Sequence, residues 1–188
     1  ADAEALMYSS SDSALQILES IPYPERLTGK VQADYALLLT QAHSRNRITA
    51  TSDSLIRIAV NYYRHSDDNA RKAASFLYWG DVYMDMQNYV EAMKVLKQAE
   101  EVVADAETRV QSLIYGNLGY LNKKTGNYQL AGTYYQKALA IDKSAGHIEW
   151  IVGDLTNILT LPLPEVQENL TDYIAQLEDI LLSARPDL

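Results

Sequence analysis

Cysteine is absent from this 188-residue chain, which removes disulfides, thiolate nucleophiles and sulfur-bound metals at once. Long apolar runs are missing as well. The richest stretch, 151–163, is interrupted by Asp154, Thr156 and Asn157, so no segment reaches the roughly 18 unbroken apolar residues of a membrane-spanning helix. Basic charge is scarce: 16 Lys and Arg stand against 25 Asp and Glu, a net charge of −9. The bases come singly or in pairs such as Arg71-Lys72 and Lys123-Lys124, a pattern that opposes the phosphates of nucleic acid and of anionic membranes. Proline occurs only at Pro22, Pro24, Pro162, Pro164 and Pro186, each where a helix should begin or end. Alternating β-type patterning is lacking, and apolar positions recur at three- and four-residue steps instead. What remains is a nearly all-α chain, 47% apolar, large enough to bury a core. The first residue is alanine rather than methionine, which fits an exported or envelope protein with its leader removed as well as a cytoplasmic segment.

The chain rhymes with itself about every forty residues. Phe76-Leu77-Tyr78-Trp79-Gly80-Asp81-Val82-Tyr83 is echoed by Tyr115-Gly116-Asn117-Leu118-Gly119-Tyr120, with Gly80 and Gly119 placed 39 positions apart. Stepping outward by 41 and 40 positions reaches Leu39 and Leu159. A fixed period in this range marks stacked helical repeats, whose extended surfaces bind other macromolecules.

The spacing predicts helices in A and B pairs. A short helix to about residue 8 and a B helix over 12–20 form a partial first unit within 1–21. Helices over 27–44 and 52–64 follow, then 68–86 and 89–104, and then 107–125 and 128–142. Helices over 146–160 and 164–183 form a last, capping unit within 146–184. Ser11-Asp12-Ser13 and Ser52-Asp53-Ser54 read as starts of B helices, since short polar side chains accept the free N–H groups of a first turn. Gly126-Asn127 reads as an A-helix end in a left-handed cap. Along the B helices, Ala14, Leu55, Ala92, Ala131 and Leu170 are expected to be equivalent. The residues four later, Leu18, Ala59, Leu96, Tyr135 and Ile174, and three further on, Ile21, Tyr62, Ala99, Ala138 and Leu177, complete the core face. Small residues opposite large ones then let neighbouring helices approach and interlock.

These residues resemble the tetratricopeptide repeat family. The resemblance rests on Phe76, Trp79, Gly80, Tyr83, Ala92, Leu96 and Ala99 in one unit. Tyr115, Leu118, Gly119, Asn122, Tyr128, Ala131, Tyr135 and Ala138 carry it in the next. Around Leu38-Leu39-Ala42 and Ile158-Leu159 only the helical period and apolar character match. The resemblance implies a right-handed α-solenoid of antiparallel helix pairs with a concave groove lined by A-helix residues. In this sequence those are Leu77, Asp81, Met84 and Asp85, then Gly116, Tyr120, Lys123 and Lys124, with Thr40 and His43 from the preceding unit. A solvated helix face is the alternative for each. One subset of the family grips a peptide carboxylate with lysine and asparagine, but Leu77, Asp81, Gly116 and Tyr120 stand at the corresponding points. A groove acidic in one unit and basic in the next is expected instead. The extended pattern also resembles bacterial envelope or regulatory repeat proteins, in which such an array precedes a membrane anchor or an output domain.

No catalytic residue, cofactor site or metal site emerges. His43, His65 and His147 never form the i, i+4 pair of a helical zinc site, and His65 beside Asp67-Asp68 reads as a solvated turn. Glu100-Glu101 falls on a polar helix face. No serine stands in a nucleophile elbow and no glycine-rich loop follows a strand. Asn169-Leu170-Thr171 matches a glycosylation acceptor within a predicted helix. The fourteen tyrosines suit sugar or cation stacking, yet most fall on expected core positions; Phe76 and Trp79 read as packing residues, and Trp150 fits either role. The reading is a non-enzymatic scaffold that binds a protein or peptide segment in a groove. Alternatives are the regulatory part of a longer protein, and self-association through a last helix rich in Ile174, Leu177, Ile180, Leu181 and Leu182.

Overall fold

The computed structural model describes residues 2–183; Pro186 and residue 184 of the expected capping unit lie outside them. The chain divides into two compact units, Ala1–Ala106 and Glu107–Leu188. No strand occurs among the described residues.

The first unit holds α1 (Asp2–Leu6), α2 (Ser11–Glu19), α3 (Gly29–Arg45), α4 (Ser54–Tyr63), α5 (Asn69–Asp85) and α6 (Tyr89–Glu101), with single 3-10 turns at Pro24–Arg26 and Val103–Asp105. Helix α1 packs on α2, α2 on α3, α3 on α4 and α5, and α5 on α6. The second unit holds α7 (Thr108–Lys124), α8 (Tyr128–Ala145), α9 (Ile148–Leu159), α10 (Pro164–Glu168) and α11 (Leu170–Ser183). Here α7 packs on α8, α8 on α9 and α9 on α11. The expected helix pairs are present, with two breaks: residues 89–104 split into α6 and the turn Val103–Asp105, and 164–183 split at Asn169.

The three long A helices end identically. Arg47, Gln87 and Gly126 adopt left-handed backbone with φ of 56°, 59° and 81°. The next residue's N–H reaches back across each end, from Ile48 to the His43 carbonyl (2.9 Å), Asn88 to Tyr83 (2.8 Å) and Asn127 to Asn122 (2.9 Å). This double-bonded cap satisfies the last carbonyls of a helix. Its recurrence at 47, 87 and 126 fixes the repeat register. In that register Thr40, 40 positions before Gly80, is the buried equivalent, whereas Leu39 is only half-buried. Likewise Ile158 is buried, and Leu159 is not.

Gly80 and Gly119 sit where helices touch. A Cβ built on Gly80 would lie 2.6 Å from Leu96 Cγ in the first unit, and one on Gly119 would lie 2.6 Å from Tyr135 Cε1 in the second. Leu96 is wholly buried and Tyr135 nearly so; sealing such a side chain from water contributes about 1.5–3 kcal/mol each. The core register of α4 differs by one residue from the expected one: Ile56, Ala59, Val60 and Tyr63 are buried, while Leu55 is half-buried and Tyr62 exposed. In the last helix Leu170 and Ile174 are exposed, because α11 presents Tyr173, Leu177 and Ile180 to the core instead.

At the expected start of α4 one side-chain bond to a first-turn N–H forms, the Ser54 N–H donating to Ser52 Oγ at 3.2 Å, but the residues directly before α2 and α4 add none. Neither Ser10 before α2 nor Asp53 before α4 makes a capping hydrogen bond with its side chain. Such caps occur at α5, where Asp68 accepts from the Arg71 N–H, and at α6, where Asn88 accepts from the Glu91 N–H.

Candidate functional site

The connection from α3 to α4 spans residues 46–53, whereas residues 86–88 and 125–127 suffice to join α5 to α6 and α7 to α8. The added length folds over the ends of α3 and α5. Asp85 Oδ2 accepts the Ala50 N–H at 2.8 Å, and Asp81 Oδ2 accepts the Ser44 hydroxyl at 3.1 Å. Asp53 closes the far side, accepting from Trp79 Nε1 at 3.2 Å and from the Tyr83 hydroxyl at 3.3 Å. Its carboxylate serves this junction, which is why it is not spent on capping α4.

Two adjoining cavities of about 270 and 280 Å³ open between this connection, α3 and α5, sharing Ser44, Ile48, Thr49, Asp81 and Asp85. Thr40 and His43 line the first, and Met84 and Arg47 the second. Five of the expected groove residues, Thr40, His43, Asp81, Met84 and Asp85, therefore meet at one place. Thr40 forms floor rather than rim, since it is buried and its hydroxyl bonds the Ala36 carbonyl. Leu77 does not belong: it is wholly buried in the core. Ser44, Ile48, Thr49 and Ala50 were not anticipated; their only sequence signal is the longer step between the third and fourth helices.

In the second unit the remaining candidates lie along α7. Tyr120 is exposed, and Lys124 Nζ stands 5.8 Å from its ring centre. Lys123 donates to Thr160 Oγ1 at 2.7 Å, tying α7 to the end of α9. Nearby, Tyr115 and Tyr134 stack at 6.1 Å, with Lys137 Nζ 5.0 and 5.3 Å from the two ring centres. The chain's own lysine thus fills the cation position of that pair. Of the fourteen tyrosines only Tyr63, Tyr78, Tyr134 and Tyr135 are buried, fewer than the sequence pattern suggests. Asn169 is exposed at the step between α10 and α11, not inside a helix, and its amide bonds the Glu165 carbonyl.

A serine, a histidine and an aspartate do converge, at Ser112, His147 and Asp142. The arrangement is not that of a hydrolytic triad, in which the histidine takes the serine proton. Here the Ser112 hydroxyl donates to Asp142 Oδ2, and His147 Nδ1 lies 2.8 Å from Asp142 Oδ1. Ser112 is also buried at 3% exposure, out of reach of a substrate. Among the described residues no group of three or more His, Asp or Glu is placed to hold a metal, and no helix is long and apolar enough to cross a membrane.

A family model described as the tetratricopeptide repeat matches residues 71–144, which span α5 to α8. Over these residues the chain is similar to tetratricopeptide repeats. No curated protein matches the chain. Tetratricopeptide repeats typically serve as non-catalytic protein-interaction modules, and the cavities described above sit against α5, the first helix of the matched stretch.

Proposed function

We propose that the chain is a protein-interaction scaffold whose first unit holds a partner segment against α3 and α5, with the 46–53 connection as a side wall. The observation that carries this reading is the convergence of Thr40, His43, Asp81, Met84 and Asp85 on two joined cavities. The wall is tied down before a partner arrives, so little ordering entropy is lost on binding. The lining sets the partner's chemistry. Asp81 and Asp85 offer carboxylate oxygens against the single cation Arg47 in the second cavity, Ser44 and Thr49 offer hydroxyls, and Ile48 and Met84 supply apolar contact. An extended segment bearing a lysine or arginine fits this mixture, because a cation meeting a carboxylate adds charge-assisted hydrogen bonds.

The test uses three fluorescein-labelled peptide libraries, random except for a central Lys, Glu or Leu, with binding read by fluorescence polarisation. The Lys library should bind the native chain preferentially, and Asp81→Lys should weaken it about tenfold, the equivalent of about 1.4 kcal/mol. Equal binding of the Glu library, or undiminished binding by a fully helical Asp81→Lys variant, would overturn the assignment.

A second reading concerns α11, where Ile174, Leu181 and Leu182 are 42%, 54% and 67% exposed. That surface favours association with another helix. The helix carries Asp172, Glu178 and Asp179 but no base, so symmetric pairing of two copies would bring like charges together. Sedimentation of the native chain beside Leu181→Glu tests it: a concentration-dependent dimer lost in the variant supports self-association, and a monomer throughout removes it.

A further inference from the structure

Two carboxylates are buried in the second unit where α9 packs on α8. Asp142 on α8 is wholly buried and Asp154 on α9 is 7% exposed. Asp142 is well served: its oxygens meet the Ser112 hydroxyl from α7 and His147 Nδ1 from the α8–α9 turn. Asp154 is not, since its buried Oδ2 has no hydrogen-bond partner. Two ionised carboxylates in such a place are strongly disfavoured, because burial penalises each charge and each repels the other.

We propose that Asp142 and Asp154 form a proton-held latch: one proton between them fastens α9 to α8, and loss of that proton loosens α9 and the helices that pack on it.

Among the described residues no ion pair forms at Asp154, and its carboxyl answers to burial and to Asp142 rather than to a cation. Tyr135 of α8 interacts electrostatically with Asp154 and with Tyr120 of α7. From α11, Tyr173, Leu177 and Ile180 pack on the same core. Lys143, beside Asp142 in the chain, turns its ammonium to Gln176 Oε1 at 2.6 Å. His147 brings a ring nitrogen to the pair, and it contacts Asp142. Burial, and then the charge and hydrogen bonding of Asp142, push the Asp154 carboxyl up to about 8 from an ordinary 3.8.

The sign follows from linkage. A carboxyl whose folded value is raised binds a proton in the folded state that the unfolded state has released. Its stabilising effect is complete below pH 3.8 and is lost as pH rises toward about 8. Loss of the latch would expose Ile151, Leu155 and Ile158, the α9 residues that fill the local core. A single raised carboxyl steepens the pH profile by at most about tenfold in the folding equilibrium per pH unit.

The test compares the full chain with Asp154→Asn, which mimics the protonated acid without titrating. Amide hydrogen exchange over 148–159 reads the opening of α9. Between pH 4 and pH 8 the native chain should lose protection relative to the variant by up to about tenfold per pH unit, and the two should run parallel above. Carboxyl-carbon NMR of the native chain supplies a readout that does not depend on the variant folding. An Asp154 midpoint far above the ordinary carboxylate range supports the latch; a midpoint near 4, or parallel exchange profiles throughout, overturns it.

Discussion

Gly119 on α7 and Tyr135 on α8 are packed so closely that a methyl group on the glycine would lie 2.6 Å from Cε1 and 2.7 Å from Cδ1 of the ring. The ring is rigid and nearly fully buried, so it cannot swing aside as a flexible chain end would. Overpacking of this kind costs about 1–3 kcal/mol, which outweighs the roughly 1 kcal/mol that alanine gains over glycine inside a helix. Gly119→Ala should therefore lower stability in urea unfolding. Adding Tyr135→Leu to that variant should cost less than the sum of the two single changes, because the smaller side chain removes the clash. Additive losses would show that the contact is not what makes the glycine necessary.

The shared cap at the ends of the A helices gives a prediction of opposite sign. Gln87 adopts φ 59° at the position where Gly126 has φ 81°. A side chain in left-handed backbone costs roughly 1–2 kcal/mol, partly offset by the entropy that glycine loses on folding. Gln87→Gly should stabilise the chain by about 0.5 kcal/mol, and Gly126→Ala should destabilise it by about 1 kcal/mol. Both are read from the midpoint of denaturant unfolding at unchanged slope.

A third prediction concerns pH in the first unit. Tyr63 donates its hydroxyl to Asp34 Oδ1, and Lys30 Nζ lies 2.6 Å from Asp34 Oδ2. Burial alone would raise the Asp34 carboxyl, but the hydrogen bonds from Lys30 and Tyr63 and the charge of Arg71 outweigh it and hold it below its usual value. Its contribution to stability is thus present above pH 3.8 and lost as pH falls through the lowered value. Tyr63 moves the other way: burial and the bond to Asp34 push it up to about 12, so its contribution is lost between pH 10 and about 12. Tyr63→Phe should move the Asp34 carboxyl-carbon titration upward toward the ordinary range. An unmoved midpoint would mean that Lys30 and Arg71 hold the carboxylate without help from the phenol.

The helices were legible because their cause is local and periodic. Apolar spacing located every A helix, and Gly80 and Gly119 marked the points where helix pairs touch. The register of α4 was not legible, since Leu55-Ile56 and Tyr62-Tyr63 each place two apolar residues side by side, and periodicity cannot say which of two neighbours turns inward. The break at Asn169 has no proline or glycine to announce it; it rests on a side-chain amide bonding the Glu165 carbonyl. Thr40, His43, Asp81, Met84 and Asp85, which the family resemblance implies for a groove, line the two cavities. The wall beside them was not legible, because residues 46–53 are held by tertiary hydrogen bonds, from the Ala50 N–H to Asp85 and from Trp79 and Tyr83 to Asp53, rather than by any local pattern. Asp142 and Asp154 look like polar-face residues in sequence, and only packing reveals that they are buried together.

The wall and the charge of the candidate site can be separated at Asp85, whose carboxylate both holds the Ala50 N–H and lines the two cavities. Asp85→Ala removes both features. Asp85→Asn keeps an oxygen that can accept the Ala50 N–H but removes the charge. Amide exchange at Ala50 should quicken in Asp85→Ala and stay near native in Asp85→Asn, as expected for a bond worth on the order of 1 kcal/mol. Affinity for the Lys-centred peptide library should then fall in both variants, and further in Asp85→Ala, because the alanine variant loses the preorganised wall as well as the charge. Native affinity in Asp85→Asn combined with weak binding by Asp85→Ala would assign recognition to the shape of the wall alone. The partner segment would then need no basic residue at this point.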